Sequence, residues 1–107
     1  MSDGTPGNED GRASWTFLTN HAHVLLCIAE DPGARLRDVA TRVGITERAA
    51  QSIVADLVAT GYLTRERVGR RNHYEIHPAR PLRHPIERHH DVGELLALLT
   101  AEATTGR

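Results

Sequence analysis

Two groups of side chains in this 107-residue chain are chemically suited to grip a polyanion and to read it. The first is the run Thr46-Glu47-Arg48-Ala49-Ala50-Gln51-Ser52. Arg48 can reach guanine O6 and N7 with two donors, and Gln51 can pair with adenine N6 and N7. Ser52 suits a phosphate or a base edge. Glu47 can accept from cytosine N4, or repel phosphate and so enforce register. Thr46 can cap a helix while approaching a phosphate. The second group is Arg65, Arg67, Arg70 and Arg71, within seven residues of one another, followed by Asn72. Guanidinium groups match phosphate oxygens bidentately and enter narrow minor grooves.

Other chemistries have weaker sets. His21 and His23 lie two apart, and His84, His89 and His90 gather near Asp91 and Glu94. His90 and Glu94 have the i, i+4 spacing that puts two ligands on one helical face. Yet no paired cysteines accompany them, and scattered histidines do not close a ligand set, so no metal is expected. His23 and Cys27 have the same spacing, but Cys27 lies in an apolar stretch where a thiolate is disfavoured. There is no Gly-rich phosphate loop, nucleophile elbow or paired-carboxylate constellation. An enzyme is not expected, nor is a cofactor.

The bulk numbers mislead on one point. A formal charge of -1 argues against a nucleic-acid partner until it is partitioned. The net is -4 over residues 1–31, +1 over 32–64, +4 over 65–90 and -2 over 91–107. The near-neutral total hides a basic segment, which also holds five of the seven histidines. None of the basic residues is Lys. The longest apolar run, Val24 to Ala29, is too short to span a bilayer. The polar, Gly-rich start lacks the apolar core of a secretory signal. A lone cysteine excludes an internal disulfide. A cytoplasmic location without membrane contact is the expectation.

The elements that must position these side chains follow from periodicity. Residues 1–13 are Gly-rich and polar, and are expected to be a disordered tail. A helix through Val24, Leu25, Leu26 and Ile28 must end before Pro32-Gly33. Ser14, Thr19 or Asn20 can cap it, and Trp15–Leu18 has an entry strand as an alternative. Leu36, Val39, Ala40 and Val43 fall at i, i+3, i+4, i+7, a short amphipathic helix closed by Gly44. Thr46 caps a third helix, 46–60, with Ala50, Ile53, Val54 and Leu57 inward and Gly61 at its end. The period then drops to two at His73–His77, with Tyr74 and Ile76 on one face. Leu63–Val68 precedes it out of phase, which suggests a bulge, and Gly69-Arg70-Arg71-Asn72 reads as the hairpin tip. Pro78, Pro81 and Pro85 make 78–90 a Pro-rich, extended connector. Asp91-Val92-Gly93-Glu94 matches a capping box opening a last helix, 91–104. Its Val92, Leu95, Leu96 and Leu99 form a stripe that packs on its own domain or on a second copy.

The fold class is therefore mainly α with a small β-hairpin, and residues 36–55 have the spacing of a helix-turn-helix. With its hairpin, the stretch LRDVATRVGITERAAQSIVADLVATGYLTRERVGRRNHYEIHP resembles the winged-helix transcriptional regulators, MarR-like and ArsR-like in particular. The likeness covers roughly residues 15–99. It implies a winged helix-turn-helix domain over 14–77: a three-helix core and a two-stranded wing, followed by a C-terminal helix. It implies sequence-specific binding of double-stranded DNA to regulate transcription. Helix 46–60 would enter the major groove, and Arg70-Arg71 at the wing tip would reach the minor groove or backbone. A homodimer through Val92, Leu95, Leu96 and Leu99 is expected, because half-site reading takes two copies. Whether a small-molecule effector exists stays open. Two alternatives stand beside this reading. A protein-interaction module would show a dominant apolar patch around Trp15 and Phe17 in place of an arginine face. An ArsR-like repressor would bind metal.

Overall fold

A computed structural model of the chain describes residues 15–105; the expected tail and the candidate cap Ser14 lie outside them. The element order is α1 (Asn20–Glu30), α2 (Leu36–Val43), α3 (Glu47–Ala59), β1 (Leu63–Val68), β2 (Arg71–Ile76) and α4 (Val92–Thr105). Four helices and one antiparallel hairpin make the winged-helix architecture that the periodicity implies.

Trp15–Leu18 forms no strand; it passes through a bend into α1, whose N-cap is Thr19. The helix buries Val24, Leu25, Cys27 and Ile28 and stops where Pro32-Gly33 forbids another turn. α2 ends at Gly44, which takes φ 89°. Only glycine adopts that region without steric cost, and it lets the Ile45 amide turn back to the Ala40 carbonyl at 3.0 Å. Thr46 then caps α3, its Oγ1 accepting from the Ala49 amide at 3.0 Å. Ala40 and Ala50, both buried, face this junction, and small side chains there let the two helices approach closely. α3 closes in a Schellman motif: the Tyr62 amide reaches the Leu57 carbonyl and the Gly61 amide the Val58 carbonyl. The core gathers Val24, Ile28, Val39, Val54, Leu63 and Tyr74, and each fully buried aliphatic contributes about 1.5–3 kcal/mol.

The hairpin pairs without interruption from Leu63↔Ile76 to Val68↔Arg71, so β1 holds no bulge. Leu63 and Val68 are out of phase simply because Leu63 is buried and Val68 faces solvent. The tip is also tighter than expected. Gly69-Arg70 alone makes the turn, and Arg71 and Asn72 belong to β2. The Tyr74 amide donates to the Pro32 carbonyl at 3.0 Å, which sews β2 to the loop between α1 and α2.

Residues 78–90 are not an extended linker. The Leu82 amide donates to His90, the Val92 amide to Arg80 and the Gly93 amide to Pro78, folding the segment into a closed loop. The Tyr62 hydroxyl anchors it further by donating to the Pro81 carbonyl. Asp91 caps α4 as its spacing implies, accepting from the Glu94 amide at 2.9 Å. The Glu94 carboxylate does not complete the capping box. It pairs with His90 instead. α4 packs on α1. Val92 (4% exposed) and Leu96 (8%) are spent inside the chain's own core, whereas Leu95 and Leu99 remain partly open.

Two substitutions test this packing. A Cβ at Gly93 would sit 2.7 Å from Pro78 Cβ and 2.9 Å from its carbonyl oxygen. Neither neighbour can swing aside, so Gly93→Ala is expected to cost about 1–3 kcal/mol in urea unfolding. The Tyr74 hydroxyl is buried with no hydrogen-bond partner among the described residues. Tyr74→Phe removes that unsatisfied group and should stabilise the fold by up to about 1–3 kcal/mol. A loss of stability would mean that the hydroxyl has a partner.

Candidate nucleic-acid interface

α3 buries Ala50, Ile53, Val54 and Leu57, so Glu47, Arg48, Gln51 and Ser52 face solvent on the opposite side. Glu47 and Gln51 stand one turn apart on one stripe, with Arg48 and Ser52 on the next. The side chains of Arg48, Gln51 and Ser52 make no hydrogen bond or ion pair among the described residues, which leaves their donors available. The Thr46 hydroxyl is already committed to the helix start through the Ala49 amide.

The tight hairpin turn and the Pro32–Tyr74 bond bring the wing against the start of α3. Between them lies a cleft of about 400 Å³, lined by Glu47 and Gln51 from α3, by Arg70, Arg71 and Asn72 from the wing, and by Arg35 just before α2. The structure thus unites five of the expected residues: Glu47, Gln51, Arg70, Arg71 and Asn72. Thr46, Arg48, Ser52, Arg65 and Arg67 lie outside the cleft. The register sets Arg65 and Arg67 on the hairpin face that carries Tyr74 and Asn72, and Arg71 on the other face with Glu66. The four wing arginines therefore do not form one patch. Nor is Arg71 free: its guanidinium donates to the Gly33 carbonyl at 2.6 Å. Arg70 is exposed at the turn.

Arg35 is the residue that sequence reading missed. Periodicity marks the first apolar residue of α2, Leu36, but does not report which distant loop lies beside it. Arg42, by contrast, is neutralised. It donates to Glu30 at 2.9 Å, and that bond holds its guanidinium proton above the ordinary range. His21, at 2.8 Å from Asp56, ties α1 to α3, another pair that no local pattern shows.

Burial pushes the Cys27 thiol up, against a smaller opposing pull from Arg42, and His23 bonds Asn20 Oδ1 at 3.0 Å and not the thiol. His90 and Glu94 meet as a pair, but no group of three or more His, Cys, Asp or Glu gathers among the described residues. Among those residues no helix is long and apolar enough to cross a membrane.

The apolar patch is present too, elsewhere. Trp15 and Phe17 pack edge to face at 5.0 Å. Phe17 (93% exposed), Ile86 (76%) and Leu98 (71%) border an open groove of about 740 Å³ between α1, the 78–90 loop and α4. It shares no lining residue with the polar cleft.

A model of the MarR family matches residues 16–71, just over half of the chain. The chain belongs to the MarR family. The matched stretch runs through α1, the whole helix-turn-helix, β1 and the wing turn, and holds every lining residue of the polar cleft except Asn72 and Tyr74. As a MarR-type protein it is a DNA-binding regulator of transcription on a winged-helix fold. Nothing in the match supports the ArsR-like side of the resemblance. No curated protein matches the chain.

The MarR wing supplies a test of its two adjacent arginines. Arg71→Ala removes the bond to Gly33 and should lower stability by about 0.5–1.5 kcal/mol in chemical denaturation. Arg70→Ala, at an exposed turn position, should stay within about 0.5 kcal/mol of the parent. Equal losses would contradict a structural role for Arg71.

Proposed function

We propose that this MarR-family chain recognises a specific double-stranded DNA sequence with α3 in the major groove and the wing on the flanking minor groove or backbone. The exposed stripe at the start of α3, set beside the arginine-bearing wing, carries this reading. Arg48 and Gln51 make base contacts, with Glu47 and Ser52 adjusting register at their sides. Thr46, Arg65, Arg67, Arg70 and Asn72 serve the backbone, and Arg71 holds the wing in place for them. Two copies act together, because half-sites about 34–36 Å apart take two recognition helices. The second copy docks on the open part of the C-terminal stripe, Leu95 and Leu99, widened by the exposed Leu98. Val92 and Leu96 support that surface from within. A cytoplasmic location goes with this reading.

Selection of bound duplexes from a random pool, followed by titration at several salt concentrations, tests it. A symmetric selected site, with log affinity falling linearly in log salt at about 0.9 per phosphate contacted, is the expected result. Arg48→Ala should change preference at one base pair, at a cost of about 1–3 kcal/mol there, while Arg70→Ala should weaken all sequences alike. Failure to retard any duplex at low salt would overturn the proposal.

A further inference from the structure

We infer that the polar cleft between the start of α2, the first turn of α3 and the wing turn is a seat for one phosphodiester group, and that Arg35 is one of its two principal cations. The inference rests on the DNA-binding reading and adds a contact and a residue to it.

Three guanidinium-bearing residues from two distant parts of the chain, Arg35, Arg70 and Arg71, converge on this one cleft, opposed there by Glu47 alone. Their availability differs. Arg71 is bound to the Gly33 carbonyl, two residues before Arg35, so it locks the wing against the loop that carries Arg35. Arg35 and Arg70 are both exposed, and their side chains have no hydrogen-bond or ion-pair partner among the described residues. Arg42, similarly exposed, does have one in Glu30. Asn72 adds a neutral amide donor to the same lining, while Gln51 borders it from α3. Two guanidinium forks and the Asn72 amide supply more donors than the non-bridging oxygens of one phosphate can take, which favours an anion over a neutral base edge. The Glu47 carboxylate disfavours a second negative charge. A singly charged diester therefore suits the cleft better than a phosphate monoester or free phosphate.

The test uses the full chain with the selected duplex and a scrambled one. Arg35→Ala should weaken both to the same extent, roughly fivefold at about 0.15 M salt, and reduce the salt slope by about 0.9, the effect of one lost phosphate contact. Arg35→Lys, which keeps the charge, should restore most of the slope. An unchanged slope, or a loss confined to one sequence, would overturn the inference while leaving the DNA reading intact. Failure of the parent chain to bind any duplex would overturn both. Nitrogen-15 NMR of the parent protein gives a readout independent of the variants. The Arg35 Nε–H resonance should shift on adding duplex, and much less with inorganic phosphate at equal phosphate concentration. No shift with duplex, or an equal shift with inorganic phosphate, would overturn the assignment.

Discussion

The close contact between α2 and α3 is the constraint on which the rest of the molecule depends. Ala40 and Ala50 are buried at the junction, Gly44 turns the chain through a left-handed conformation, and Thr46 restarts the helix within two residues. Larger side chains at either alanine would push the helices apart, since a close-packed interior has no spare volume. With α2 and α3 held this way, the inward residues of α3 are assigned to the core. The residues left outward at its start are Glu47, Arg48, Gln51 and Ser52. A packing requirement inside the domain thereby decides which side chains meet solvent, and hence a ligand.

The wing depends on that arrangement through two bonds. The Tyr74 amide and the Arg71 guanidinium both reach carbonyls of the Pro32-Gly33 pair, the same pair that terminates α1. A helix stop and a wing anchor are thus one piece of chain. The loop that results brings Arg35 beside Arg70, although thirty-five positions separate them in sequence. The other end of the molecule is organised on similar lines. Backbone bonds close the 78–90 loop, and α4 lies on α1 through Val92 and Leu96. The polar and the apolar surfaces share no lining residue.

Charge follows the same division. The basic excess of residues 65–90 is only in part available to a ligand. Arg71 is bound to Gly33, and Arg80 donates to the Thr60 carbonyl at the end of α3. What faces the cleft is a small net positive charge assembled from α2's start and the wing turn. This is why neither the total of -1 nor the local +4 describes the field that a phosphate would meet.

The sequence by itself determined most of the elements and several of their caps. Spacing of apolar residues marked α2 and α3, and Gly44, Thr46, Gly61 and Asp91 act as read, because caps and turns are settled by a few neighbouring atoms. The outward face of α3 was legible for the same reason: a period of 3.6 needs no knowledge of the partner. Only the tertiary structure decided which arginines are spent and which are free, that Val92 and Leu96 belong to the domain's own core, and that the Pro-rich loop closes on itself. It alone brought Arg35 to the wing and joined His21 to Asp56. Those outcomes depend on contacts between residues far apart in the chain. Their partners are chosen by how whole elements pack, and no local pattern records that choice.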